Sequence, residues 1–280
     1  MSNPRISPDE VRHPSVAGLF YPQNPDALRR DVQGLFARVK GEGKTGLVRG
    51  VIAPHAGYLY SGFTAACGYA RLRGANYETV VVVSPSHREF FEGVSVYPGS
   101  AYSTPLGTIP LDSDLRDRIV AASAHVSVSA RGHGEEHAIE VHLPFLQEVL
   151  PPFRLLPLVI GHQSREVCLA FGGDLATALR GKNVLLVAST DLSHYYPASI
   201  ARRLDEVVIE DLEKFDPENL MHDLESGKAE ACGGGPVVAV MAALKGLGAR
   251  TLEVVHHCNS GDVTGDTSSV VGYVAAVAYA

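Results

Sequence analysis

The sequence predicts an α/β protein of three layers, with a mainly parallel or mixed central sheet and helices on both faces. Three observations predict it. Four runs, 48–53 (VRGVIA), 79–84 (TVVVVS), 155–160 (LLPLVI) and 183–188 (NVLLVA), are almost continuously apolar, the mark of strands covered on both faces. Stretches with helical length and period lie between them. At 280 residues, 45% hydrophobic and 20% charged, the chain has enough apolar side chain for one large core, and it is read as a single domain over 1–280.

The elements follow in order. Asn24-Pro25 reads as a helix N-cap followed by a first-turn proline. It opens a helix over 25–39 with Leu28, Val32, Leu35, Phe36 and Val39 as its apolar stripe. After strand 48–53, helices are expected at 62–74, 112–124, 135–149 and 164–180, interleaved with the other three strands. Further helices at 198–215, 217–226 and 236–246 lead to closing strands near 251–257 and 269–279. Such strand–helix alternation favours parallel pairing.

Composition excludes some functions. The net charge is −7 and no run of Lys and Arg offsets it, which argues against a nucleic-acid partner. No apolar stretch approaches the roughly 20 residues that span a bilayer. The N-terminal MSNPRISPDEVRHPS lacks the apolar core of a signal peptide. A cytoplasmic protein with no membrane partner is expected. Cys67, Cys168, Cys232 and Cys258 form no CxxC pair and are expected to be free thiols.

The polar chemistry collects where strands end. The first run ends in APHAG with His55, the second in SPSHRE with Ser84, Ser86 and His87, and the fourth in ASTDLSHYYP with Ser189, Thr190, Asp191 and His194. If the strands are parallel, these ends share the carboxyl edge of the sheet, where open α/β sheets build their sites. Each histidine alone suits a solvated turn; the set favours a site. His162 in VIGH lies at the end of the third run, but no second polar residue supports it and it reads as a loop residue.

Two other stretches carry chemistry. In EEHAIEVHLPFL, 135–146, Glu136 and Glu140 are spaced to share a helix face. His137 and Glu140 are three apart and could also meet, and a role in orienting a ligand histidine suits the pair. The alternative is a helix with Ile139, Leu143 and Leu146 on the core and its charges in water. In EACGGGP, Cys232 precedes three glycines and the helix opened by Pro236. The glycines let its backbone approach a ligand closely, and the helix dipole favours its thiolate. Cys67 and Cys168 read as core residues, while Cys258 beside His256 and His257 stays open. The polar loop 259–269 (NSGDVTGDTSS) lacks the D-x-D-x-D spacing of a calcium loop and is expected as a structured turn bordering the site.

VAGLFYP (16–22), APHAGYLYSG (53–62), SPSH (84–87), EHAIEVHLPFL (136–146), STDLSHY (189–195), ACGGGP (231–236) and NSGDVTGD (259–266) occur in order along nearly the whole chain. By these motifs the sequence resembles the Memo family, whose prokaryotic members are called AmmeMemoRadiSam system protein B. The resemblance implies a fold similar to that of class III extradiol dioxygenases, which are non-haem iron enzymes. It implies a metal pocket with His55, His87 and Cys232 as ligands. Asp191 and His194 would line the pocket as catalytic groups, with Glu136, His137, Glu140, Ser86 and Tyr58 around them. It departs from the dioxygenases in one respect. They hold iron with two histidines and a glutamate, whereas a thiolate third ligand softens the site and makes it oxidisable.

The resemblance therefore implies a divalent metal, with Fe(II) the first choice and copper or zinc the alternatives. It points to an oxidoreductase of dioxygenase type acting on a small molecule. The alternatives are a metal- or peptide-binding protein without turnover, partnered within the AmmeMemoRadiSam set that includes a radical-SAM protein, and, more weakly, a metal-assisted hydrolase.

Overall fold

The computed structural model describes residues 7–41 and 46–280; residues 1–6 and 42–45 of the expected 1–280 unit lie outside the described residues. The strands are β1 (Val11–Arg12), β2 (Val48–Ala53), β3 (Thr79–Pro85), β4 (Val94–Val96), β5 (Ala101–Thr104) and β6 (Gly107–Pro110), then β7 (Val126–Val128), β8 (Arg154–Ile160), β9 (Val184–Ser189), β10 (His194–Tyr196), β11 (Thr251–Asn259) and β12 (Val270–Tyr279). The helices are α1 (Pro25–Arg38), α2 (Tyr58–Tyr69), α3 (Ser113–Ala122), α4 (Leu143–Val149) and α5 (Arg165–Leu179), then α6 (Ala198–Lys214), α7 (Pro217–Glu225), α8 (Gly234–Gly246) and the single turn α9 (Gly261–Thr264).

Four parallel strands in the order β2-β9-β3-β8 form the centre of a mixed sheet. These are the four apolar runs of the sequence. Antiparallel β12 and β11 extend the sheet beyond β2, and β4, antiparallel to β8, extends it at the other side with β7. A separate sheet, β1-β5-β6, lies apart from it. The strands shorter than five residues were beyond the reach of periodicity, because three or four residues complete too few alternations to register.

Alternation along the strands sets the layers. Val80 and Val82 of β3 pack into one core with α1, α2 and α4. Val81 and Val83 pack into the opposite core with α3, α5, α6, α7 and α8. The expected three layers are thus present, with both faces of the parallel strands covered. The α1 prediction rests on capping, and the cap is there: the Asn24 side chain accepts from the Ala27 N–H at 3.0 Å, and Leu28, Val32 and Phe36 are buried.

Two helix expectations need correction. The helix expected from 62 begins at Tyr58, directly after the His55 turn. The helix expected over 135–149 is absent until Glu140: a single 3-10 turn, Glu140–His142, leads into α4. The reason is local. The Glu136 carboxylate accepts the N–H groups of His137 at 2.9 Å and Ala138 at 3.0 Å, so a side chain takes donors in a compact turn that holds the backbone out of a helix. Glu136 and Glu140 therefore do not share a helix face.

Candidate metal centre

Parallel pairing brings four strand ends to one edge. Pro54 ends β2, and the His55 N–H that follows donates to Asp191 Oδ1 at 2.9 Å, beyond the end of β9. His87 follows the end of β3 by two residues. His137 comes from the turn before α4. The three rings converge: His55 and His87 have centroids 5.0 Å apart, His55 and His137 5.4 Å, and His87 and His137 stack at 5.0 Å. One ligand-capable atom from each lies within 4.8 Å of the others, so this triad could hold a metal ion.

In two of the rings the second nitrogen has a hydrogen-bond partner. His55 Nδ1 lies 2.6 Å from the Ser189 hydroxyl at the end of β9. His87 Nδ1 lies 2.9 Å from Glu136 Oε1, and His137 Nδ1 lies 3.4 Å from the same oxygen. That leaves Nε2 of His55 and His87 for the shared space, the arrangement found where outer groups orient ligand histidines. Burial first, then the neighbouring His87, His137, His142 and His194, hold His55 well below the ordinary histidine range. Burial likewise lowers His137 to about 4, against the pull of Glu136. Neutral imidazoles are what a metal requires. Burial alone would raise Glu136, but hydrogen bonds and charge from His87, and then His137, keep its carboxyl below the usual range.

Cys232 adjoins the triad. Its Sγ lies 3.2 Å from His55 Nε2 and 3.3 Å from the Asp191 N–H, which donates to it. Against the thiolate expected from the α8 dipole, burial, then the Asp191 carboxyl, push the thiol up. The glycines after Cys232 are used differently from the sequence reading. A Cβ on Gly233 would sit 2.0 Å from the Ser189 carbonyl oxygen. Its close approach is to the end of β9, which seats the Cys232 loop against His55.

Asp191 is 4% exposed, and its carboxyl is raised by burial against the His55 N–H and the charges of His194 and His87. His194 Nδ1 lies 2.7 Å from the Leu192 carbonyl, so Nδ1 carries the hydrogen and Nε2 is free.

Other expected residues lie outside the pocket. Glu140 is fully buried and faces away, saturated by Arg12, the N–H groups of Ser15 and Val16, and the Ser15 and Tyr21 hydroxyls. Arg12 in turn donates to the carbonyls of His133, Gly134 and Glu136. Glu140 thus anchors the turn that carries His137 rather than touching a ring. The Ser86 hydroxyl donates to the Glu89 carbonyl and closes its own loop. The Tyr58 hydroxyl donates to Val141 O, and its ring packs on Phe145.

His162 is 54% exposed beside Glu92 and Phe90. His256 Nδ1 and Cys258 Sγ both contact the Thr64 hydroxyl, at 3.0 and 3.1 Å, while His257 is exposed. All four cysteines are free. The 259–269 loop contains α9, and Asp262 and Asp266 fix it by accepting from Asn259 N–H and from Ser268.

Sequence reasoning missed Arg12, His142 and Tyr69. Arg12 looks like one of many surface charges, and only its 5% exposure reveals its role. His142 was in view in EHAIEVHLPFL, but nothing in its spacing distinguishes a buried partner of Ser189 from a surface residue.

The fold and pocket define a class: a mixed α/β protein with a histidine pocket at the carboxyl edge of its parallel strands. Residues 12–277 match the family described as Memo-like protein. The chain is 39% identical over 272 residues to a MEMO1 family protein, MTH_45, of Methanothermobacter thermautotrophicus, covering 94% of this chain and 98% of that protein. It is 37% identical to a MEMO1 family protein of Aquifex aeolicus, covering 94% and 97%. The chain belongs to the Memo family. Among solved structures, an uncharacterised protein of Escherichia coli K12, JW3007, shares the fold with a TM-score of 0.56 at 17% identity, covering 82% of this chain and 99% of that one. Among the described residues, no helix is long and apolar enough to cross a membrane.

Proposed function

We propose that the pocket binds one divalent metal ion, Fe(II) in the first instance, and that the protein is a metal-dependent oxidoreductase acting on a small molecule. Nε2 of His55 and His87 are its first two ligands, with Cys232 and His137 both within reach to complete the set. The observation that carries this is the orientation of the rings: Ser189 and Glu136 occupy Nδ1 of His55 and His87, leaving Nε2 of each for one point. A bound ferrous ion with open positions supplies a place for dioxygen or an oxygen-bearing substrate.

The chain's own groups do the rest. His194, with Nδ1 tied to Leu192 O, offers Nε2 as a base or hydrogen-bond acceptor. Asp191 holds the His55 backbone. Phe20, edge-on to His137 at 4.9 Å, stands at the boundary with a groove of about 1030 Å³ that Tyr58, Tyr60, Phe63, Arg38 and His256 also line. That groove favours a second reading, in which the metal pocket binds a peptide without turnover.

The test is anaerobic reconstitution with Fe(II), followed by oxygen uptake on a panel of catechols and related small phenols. Uptake that disappears in His194→Ala while iron is retained supports the oxidoreductase. Stoichiometric iron with no uptake on any compound overturns it in favour of binding alone.

A further inference from the structure

Ser189 lies at the end of β9 with its side chain fully buried, and three groups crowd its hydroxyl oxygen. His55 Nδ1 is 2.6 Å away, His142 Nε2 is 2.8 Å away, and the Ala138 carbonyl oxygen is 2.7 Å away. A serine hydroxyl has one hydrogen to give and two lone pairs to accept with. The Ala138 carbonyl can only accept, so at 2.7 Å it must receive that hydrogen. Both imidazole nitrogens therefore face an acceptor, and both must carry hydrogens.

The consequence runs outward from Ser189 in two directions. His55 is fixed with hydrogen on Nδ1, which leaves its Nε2 lone pair pointing at the pocket. His142 is fixed with hydrogen on Nε2. Burial keeps His142 neutral, lowering it to about 3, so its Nδ1 is an acceptor. The Tyr69 hydroxyl, 2.8 Å away, donates to it. Tyr69 and His142 are fully buried and His55 is 2% exposed, so water cannot substitute for any of these partners. Every donor meets an acceptor, and the polarity of the chain has a single solution.

We propose that Ser189, held by His142 and Tyr69, is a positioning residue that locks His55 in the Nδ1–H tautomer and so presets its Nε2 lone pair before any metal arrives. Free neutral imidazole prefers hydrogen on Nε2, so the lock works against the intrinsic preference of the ring. It also ties a pocket histidine on the β2 turn to α2, where Tyr69 sits, and to the turn that opens α4, where His142 sits. The hydrogen on His55 Nδ1 stands on hydrogen bonds alone; its consequence for metal affinity rests on the reading of the pocket as a metal site.

The experiment is long-range proton–nitrogen NMR on metal-free protein with histidine ring nitrogens labelled. Signals of His55 and His142 are assigned by their loss in His55→Gln and His142→Gln. In the wild type, His55 should show a protonated Nδ1 and a bare Nε2, and His142 the reverse. Ser189→Ala should release His55 to the Nε2–H form, and Ser189→Thr, which keeps the hydroxyl, should restore the lock. Affinity for Co(II) should fall about 10- to 100-fold in Ser189→Ala and recover in Ser189→Thr.

A protonated Nε2 on His55 in the wild type overturns the proposal, as does an unchanged His55 pattern in Ser189→Ala. If Ser189→Ala does not fold, the wild-type spectrum alone still decides. If wild type binds no Co(II) yet shows the expected tautomers, the lock stands and the metal reading falls. Metal binding with the opposite tautomer sinks the lock alone.

Discussion

His55 and His133 are both buried, at 2% and 1% exposure, and both belong to clusters of aromatic and polar side chains. They differ in what their rings have left over. His133 Nδ1 lies 2.6 Å from the Tyr102 hydroxyl and its Nε2 lies 3.1 Å from the Ser95 hydroxyl. Both nitrogens are consumed inside the protein. His55 has one nitrogen consumed by Ser189, and the other faces His87, His137 and Cys232. A buried histidine with two internal partners holds structure together. One that gives a single nitrogen to the protein frame and turns the other toward a thiol and two further imidazoles across a shared space has the geometry of a ligand.

The largest break in this contrast is Arg12→Ala. Arg12 lies between the regions, bonding the carbonyls of His133 and Glu136 and pairing with fully buried Glu140. Stranding that carboxylate should cost about 3–5 kcal/mol in denaturant unfolding, and the His137 turn should lose its protection from hydrogen exchange. Next is Glu136→Ala, which frees His87 Nδ1. Metal affinity should drop about 10- to 100-fold in a competition titration.

His133→Phe tests the other arm. It should cost about 1–3 kcal/mol from the stranded Tyr102 hydroxyl, since Ser95 keeps its bond to the Arg131 carbonyl, and leave metal binding unchanged. It also has a pH signature. Burial lowers His133 to about 3 in the fold, outweighing the opposing Ser95 backbone bond and Glu136 charge, while Arg12 lowers it further. Because its pKa is depressed below the unfolded value of about 6.5, the unfolded chain binds more protons between the two values. Its contribution is full above about pH 6.5 and is lost as pH falls toward 3. Acid titration of unfolding should flatten in His133→Phe, in part only, since His142 behaves alike. The smallest effect belongs to His162→Ala. That strand-end histidine is 54% exposed, and its loss should change stability by less than about 0.5 kcal/mol and metal content not at all.

The contrast also shows what a sequence can disclose. The four parallel strands were legible because burial on both faces writes an unbroken apolar run, and their register to a common edge followed from being parallel. His55, His87, Asp191 and His194 could be picked out on that ground. The convergence of His137 was not legible as geometry, since it depends on Glu136 capping its own turn in place of a helix. Nor could spacing tell Glu140, which anchors, from Glu136, which touches a ring. The glycines after Cys232 signalled a close approach, but the sequence cannot say to what; it is the Ser189 carbonyl. Arg12 and His142 act through partners more than 45 residues away in the chain, and no local pattern records that.

The central claim is that the pocket histidines, and not the others, hold a metal. Metal analysis of protein purified without chelator or affinity tag tests it directly, on the wild type, His55→Ala and His133→Phe. The account predicts stoichiometric metal in the wild type and His133→Phe and its loss in His55→Ala. Equal metal in wild type and His55→Ala would contradict it.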